Sequence, residues 1–275
     1  MSNVLPDKIQ VAWISGMPRS GTTWLSQILA SSPDVRLKFC PLFSYEFKNA
    51  LDEKSSQEDW KQLFLDVYKT KSEFLDQDYL RKKGLVPNFL DKKENSQHLV
   101  IKSTRFHNLV PYILELNSQI RLVHLIRHPC ATIHSWLTNK NEFPPLADPM
   151  TEWRSGACRK NGPGEFWGFD DWKRVNTQAL KLKEQYPDRF KILRYEELVK
   201  DTEACTKSLF DYFDIPYEKQ TQEFIELSRS KHDNNKRSVF KKPGLQDTWL
   251  KILDPSIVSA CLDELKGTEL EKFLE

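Results

Sequence analysis

Gly16-Met-Pro-Arg-Ser-Gly-Thr-Thr23 is the stretch of this sequence best equipped for chemistry. Its two glycines allow a tight turn, Arg19 supplies a permanent cation, and Ser20, Thr22 and Thr23 supply hydroxyl donors. Trp24, Leu25, Ile28 and Leu29 recur at helical spacing just beyond it, so the turn delivers backbone N–H groups and the positive end of a helix to one point. That combination binds phosphate or a similar oxyanion. The glycine spacing nearly matches the nucleoside-triphosphate loop G-x-x-x-x-G-K-[ST], but Thr22 stands where that motif has its lysine. An ordinary strand-to-helix turn with a threonine cap is the structural alternative.

A second candidate anion site is Arg121-Leu-Val-His-Leu-Ile-Arg-His-Pro-Cys-Ala-Thr-Ile-His-Ser-Trp-Leu137, an apolar run that ends in Arg127 and restarts as a helix. Pro129 suits the first turn of that helix, where its missing N–H costs nothing, and Ser135 falls about two turns along. An arginine fork and a hydroxyl converging on one group suit a phosphate. A structural ion pair and a surface serine are the plainer reading. A third run, His98-Leu-Val-Ile-Lys102, ends in Lys102, with His107 shortly after. Near the end of another run, Cys40-Pro-Leu-Phe-Ser-Tyr-Glu-Phe47 offers Tyr45 and Glu46, where Glu46 on a solvated face is the alternative.

Pro18-Arg-Ser-Gly-Thr-Thr-Trp-Leu25 resembles the 5′-phosphosulfate loop of sulfotransferases that use 3′-phosphoadenosine 5′-phosphosulfate (PAPS), and the Arg127 to Ser135 segment resembles their 3′-phosphate motif. Two such motifs in this order, roughly a hundred residues apart, are far more specific than either alone. The resemblance implies the P-loop-like sulfotransferase fold and PAPS as co-substrate, with no metal. It places Arg19, Ser20, Gly21, Thr22, Thr23 and Trp24 around the 5′-phosphosulfate and Arg127 with Ser135 on the 3′-phosphate. Arg194-Tyr-Glu-Glu-Leu-Val199 resembles the segment enclosing the adenine side, which assigns Tyr195 there. In the basic run Arg229 to Gly244, Arg237, Ser238, Lys241, Lys242 and Gly244 are the counterparts of a loop that closes over the nucleotide, although the family's Arg-Lys-Gly wording is not preserved.

Two departures concern catalysis. Cytosolic relatives carry Lys-Thr-His, with a histidine base, where this sequence has Lys102-Ser103-Thr104; the lysine aligns and the histidine does not. They also use lysine where Arg19 stands, and arginine does not give up a proton near neutral pH. The acceptor base must therefore come from elsewhere. Glu46 and His107 are the candidates, beside Arg19 and Lys102 as catalytic cations. Carboxylate bases after the second strand occur in heparan-modifying relatives, which leans to Glu46; a structural His107 is the alternative.

The elements that must position these groups follow from periodicity. Near-continuous apolar runs around residues 11, 36, 99, 123 and 191, alternating with helical patterns, predict an α/β fold with a central parallel sheet flanked by helices. In such sheets ligands sit beyond the carboxyl ends of the strands. Helices are expected through 60–68, 74–80, 110–116, 172–186, 202–213 and 219–227, and a closing amphipathic helix through 254–273. Residues 138–170, rich in Pro, Gly, aromatics and cations, read as an acceptor-binding lid.

With 275 residues the chain suits one sulfotransferase domain over 1–275. Lys and Arg number 41 against 39 Asp and Glu, so no overall field points to nucleic acid or membrane, and any anion site must be local. Five widely spaced cysteines without a ligand pattern read as reduced thiols. Met1 to Gln10 lacks an apolar signal core, and no run approaches the ~18 apolar residues of a membrane span, which points to a cytoplasmic protein.

The reading is sulfuryl transfer from PAPS to a hydroxyl or amine of a small-molecule or saccharide acceptor. Two alternatives stay open. A P-loop kinase needs a loop lysine and an acidic magnesium ligand at a strand end, where this sequence has Lys102 and Arg127. A non-catalytic nucleotide-binding module would keep the cofactor motifs and lack a base.

Overall fold

The computed structural model describes residues 9–242, 244 and 247–275. Residues 1–8, on which part of the expectation of no leader rests, lie outside the described residues. Five parallel strands, β1 (Gln10–Ser15), β2 (Val35–Phe39), β3 (His98–Ser103), β4 (Arg121–Ile126) and β5 (Phe190–Arg194), form one sheet in the order β2-β3-β1-β4-β5. All five coincide with the apolar runs. The register sets Ser15 of β1 level with Ser103 of β3 and His124 of β4, so the loops leaving these three strands open at one edge. The chain goes one way from β1 to reach β2 and β3 and the other way to reach β4, which makes the end of β1 the switch point where α/β sheets bind ligands.

Strand alternation splits the central residues between two cores. Ala12, Ile14, Val100, Val123 and Leu125 face α1 (Thr22–Ala30), α9 (Thr202–Phe213) and α10 (Lys219–Ser230), meeting Leu25, Ile28, Phe210 and Phe224. Trp13, Leu99, Ile101 and Leu122 face the other way, toward Trp60, Leu63 and Val67 of α2 (Gln57–Lys69), Ile113 and Leu114 of α4 (Val110–Leu116) and Ala179 and Leu182 of α7 (Gly168–Gln185). Each Val, Leu, Ile or Phe among them, fully buried, contributes roughly 1.5–3 kcal/mol relative to exposure. A third core joins α5 (Pro129–Leu137), α7 and α12 (Pro255–Leu265) through Ile133, Trp172, Ile257 and Phe273.

Three expected elements differ. Of the helix expected over 74–80, only α3 (Asp78–Arg81) forms, because Gln77 turns left-handed (φ 58°) and its side-chain oxygen accepts from Gln27 Nε2 at 3.0 Å in the core. The closing helix stops at Leu265: Gly267 takes φ 73°, a backbone that ends helices, and a short 3-10 turn, Glu271–Phe273, follows. Residues 138–170 are not a bare loop. They hold α6 (Pro149–Ser155), whose Asp148 side chain accepts from the Met150 N–H at 3.0 Å, and Trp153 packs into the third core. The remaining helices are α8 (Tyr195–Lys200) and α11 (Trp249–Ile252). Among the described residues no helix is long and apolar enough to cross a membrane.

Candidate active site

At the mouth of β1 the chain turns sharply before α1. Arg19 adopts φ 73° and Gly21 φ 95°, and the Ser20 N–H donates to the Met17 carbonyl at 3.2 Å. A Cβ on Gly21 would lie 2.5 Å from the Tyr195 ring, so only glycine lets this turn slide beneath the tyrosine. Tyr195 begins α8 at the end of β5 and meets Trp24 edge-on at 6.3 Å, while Trp24 Nε1 donates to Ser228 Oγ at 3.0 Å.

Arg127 and Arg19 converge here. Arg127 leaves the end of β4, its carbonyl fixed by the Trp172 indole N–H at 3.1 Å; its guanidinium lies 4.7 Å above the Tyr195 ring and donates to the Arg19 carbonyl at 3.2 Å. Arg19 Nε donates to Ser135 Oγ at 3.2 Å, and its guanidinium donates to the Lys236 carbonyl at 2.8 Å. Ser135 thus reaches from α5 to the loop that carries Arg19. The helix start is anchored from α8: the His128 N–H donates to Glu196 Oε1 at 3.0 Å.

Lys102, at the end of β3, donates from Nζ to Thr23 Oγ1 at 3.2 Å and sits 4.3 Å over the Phe39 ring. Burial lowers its pKa to about 8. Burial lowers the Arg19 pKa too, with Glu142 opposing and Arg127 and Arg237 adding to the effect; an arginine nonetheless stays protonated. Lys236 and Lys241 are likewise lowered, by burial and by neighbouring cations. This concentration of positive charge is what an oxyanion relieves.

The other sequence-derived candidates fall as follows. Thr22 is buried at the first position of α1. Ser238 is buried and accepts from the Phe240 N–H at 3.2 Å; Lys241 Nζ donates to the Asn235 carbonyl at 2.8 Å; Lys242 is exposed. Glu46 is exposed, and hydrogen bonds led by Ser72 hold its carboxyl below the usual carboxylate range. His107 is buried within a polar chain: its Nδ1 meets Ser15 Oγ at 3.2 Å, Ser15 Oγ meets His124 Nδ1 at 3.1 Å, and His124 Nε2 meets Asn176 Oδ1 at 3.0 Å. Burial pushes the pKa of His107 down to about 3 and that of His124 to about 4, so both are neutral at pH 7. His107 thus braces the base of the loop through Ser15.

Sequence reasoning missed Glu142, whose Oε1 lies 3.7 Å from Arg19. It also missed Lys236 and Ser228, which close the site from the far end of the chain. A basic run beyond α10 is a signal for Lys236, whereas nothing in the spacing of Glu142 marks it. Among the described residues no three His, Cys, Asp or Glu side chains gather as metal ligands do.

Comparison with known proteins agrees with this geometry. The sulfotransferase family profile matches residues 12–219. The chain belongs to the sulfotransferase family. This sulfotransferase shares its fold with mouse sulfotransferase SULT7A1, solved in complex with PAP, at 15% identity and a TM-score of 0.55, covering 98% of this chain and 87% of that one. Retinol dehydratase in a complex with retinol and PAP gives 14% identity and a TM-score of 0.53 over 97% and 84%. The sulfotransferase domain of the Synechococcus PCC 7002 olefin synthase gives 20% identity and a TM-score of 0.50 over 93% of each chain. No curated protein matches the sequence. As a sulfotransferase the chain is a transferase enzyme, its five-stranded sheet the P-loop-like fold of these relatives.

Proposed function

We propose that this sulfotransferase takes its sulfuryl group from PAPS and passes it to a hydroxyl or amine of a small-molecule or saccharide acceptor, as a cytoplasmic enzyme with one domain. The observation that carries the reading is a pair of unpartnered buried atoms, Ser20 Oγ and Arg127 Nε, in the cleft where Arg19, Arg127 and Lys102 converge. Buried polar groups are costly without partners, so donors left open beside clustered cations fit an anionic ligand. The PAP bound by two structural relatives supports the nucleotide, and the retinol and androsterone bound by retinol dehydratase support a small acceptor. Five free cysteines suit a reducing compartment.

Under this reading Arg127 and Ser135 hold the 3′-phosphate, and Ser20, Thr22, Thr23 and the loop backbone hold the 5′-phosphosulfate. Tyr195 and Trp24 wall the nucleotide, and Ser238, Lys241 and Lys242 close over it. Arg19 and Lys102 neutralise the charge that grows on the bridging oxygen as the sulfuryl group departs, which is the effect that lowers the barrier. Arg19 makes room for the ligand by giving up Ser135 and the Lys236 carbonyl.

The test is thermal unfolding without magnesium. Adenosine 3′,5′-bisphosphate raises the melting temperature and ATP does so much less, since a ligand that binds only the native state stabilises it by mass action. Equal effects of the two, or a strict need for magnesium, overturn the reading in favour of a kinase-like site. Consumption of labelled PAPS with a cell extract as the acceptor source then separates an enzyme from a nucleotide-binding module.

A further inference from the structure

The acceptor base is the role that Glu46 and His107 fill poorly. Glu46 is exposed and held as an anion by Ser72, and His107 is enclosed in the core and too weakly basic at neutral pH. A different carboxylate faces the reacting groups. Glu142 lies just past α5, in a turn closed by its own N–H on the Asn139 carbonyl at 2.9 Å and by the Phe143 N–H on the same oxygen at 2.8 Å. Phe143 anchors the turn by packing its ring 5.2 Å from Trp136, which packs 5.4 Å from Trp167. The backbone at 142 is thereby fixed, and the side chain is directed into the cleft, 18% exposed.

Its two oxygens are unequal. Oε1 lies 3.7 Å from an Arg19 terminal nitrogen, attracted but beyond hydrogen-bond distance, and Oε2 is buried with no partner. The charged and titratable groups that face it are Arg19 of the phosphate loop, Lys102 at the end of β3 and Tyr79 of α3. A buried carboxylate oxygen without a donor is expensive, and next to the sulfuryl-handling arginine the missing donor has an obvious identity, the O–H or N–H that is to be sulfated.

Resting on the PAPS reading above, we infer that Glu142 is the catalytic base: Oε2 accepts the hydrogen bond of the acceptor O–H or N–H and takes its proton. The acceptor lone pair forms the new bond to sulfur. The bond from sulfur to the bridging oxygen breaks, and its electron pair leaves on the 5′-phosphate of adenosine 3′,5′-bisphosphate. The proton stays on Glu142 until solvent removes it. Arg19 lies 3.7 Å from the other oxygen and pairs with the carboxylate between turnovers.

The experiment compares wild type, Glu142→Gln and Glu142→Asp for binding of adenosine 3′,5′-bisphosphate and for turnover of labelled PAPS with a cell extract. Glu142→Gln is expected to lose about 10²–10⁴ in turnover, the usual worth of a general base, while binding the bisphosphate at least as tightly as wild type because a nearby negative charge is gone. Glu142→Asp, which keeps the charge and withdraws it by one methylene, is expected to fall between. Full turnover by Glu142→Gln overturns the inference. So does a loss of bisphosphate affinity beyond about tenfold in either variant, which would make Glu142 a support for Arg19. If Glu142→Gln does not fold, Glu142→Asp decides alone, and undiminished turnover by it overturns the inference. Failure of the wild type to bind the bisphosphate would instead overturn the PAPS reading itself.

Discussion

The guanidinium of Arg127 donates to the backbone carbonyl of Arg19 at 3.2 Å, so the residue proposed for one phosphate also holds the loop proposed for the other. The two ends of the proposed nucleotide site are mechanically one. Arg127→Ala should lower affinity for adenosine 3′,5′-bisphosphate by about 10–100-fold, the worth of a charge-assisted contact of roughly 1.5–3 kcal/mol. It should also weaken adenosine 5′-phosphosulfate, which lacks the 3′-phosphate, but by less. Titration calorimetry with both ligands checks this, and equal losses would mean that Arg127 acts only through the loop. Arg19→Ala, by contrast, should cost turnover more than affinity.

If the proposed nucleotide site is right, Lys102 should make its binding sensitive to pH. Its pKa of about 8 in the free protein leaves it largely neutral above that pH, while a bound oxyanion favours the charged form. Binding must then take up a proton, so affinity should be level below pH 8 and fall by up to about tenfold per pH unit above it. Lys236 and Lys241 are shifted in the same direction, so the control matters: Lys102→Met should bind more weakly and lose most of this slope. A wild-type affinity level from pH 7 to 9.5 would count against the assignment.

Gly21→Ala tests the steric fit of the turn. A left-handed backbone costs an ordinary residue about 1–2 kcal/mol, and here the new methyl also meets the Tyr195 ring at 2.5 Å. Urea unfolding should show at least that loss. Bisphosphate affinity should fall as well, because the displaced ring lies beneath Arg127. Unchanged stability and binding would mean that Tyr195 moves freely.

The buried histidines predict an acid limb. His107 and His124 have folded-state values of about 3 and about 4, below the unfolded value near 6.5, so below pH 6.5 the unfolded chain binds protons that the folded chain refuses. Stability is therefore intact above pH 6.5 and lost as pH falls toward 4, each histidine adding up to about 1.4 kcal/mol per pH unit. Urea midpoints from pH 7 to 4.5 should fall less steeply in His107→Gln than in wild type.

The sheet was legible because its central strands are buried on both faces and read as apolar runs: Val100 and Ile101 of β3 face opposite cores, and both are fully buried. The turn between β1 and α1 was legible because its signals are local, contained in Gly16 to Thr23. Groups whose role depends on a distant partner were not. His107 reads as a loop histidine from its neighbours in sequence, whereas in the fold Ser15 and His124 enclose it, and Glu142 carries no local signal and gains its place only where the fold brings it beside Arg19. The Asp148-Pro149 pair that starts α6 is an ordinary helix signal, obscured by the prolines around it.

Arg19 donates to a carbonyl that belongs to Lys236, and Trp24 donates to Ser228. During synthesis the loop that carries Arg19 leaves the ribosome well before these closing partners, which lie 217 and 204 residues further along the chain. All five strands emerge before them, so a nascent chain can build the whole sheet and still expose an open, strongly cationic cleft. In that interval the half-made enzyme would attract any polyanion nearby, and the arrival of residues 228–241 is what ends its exposure.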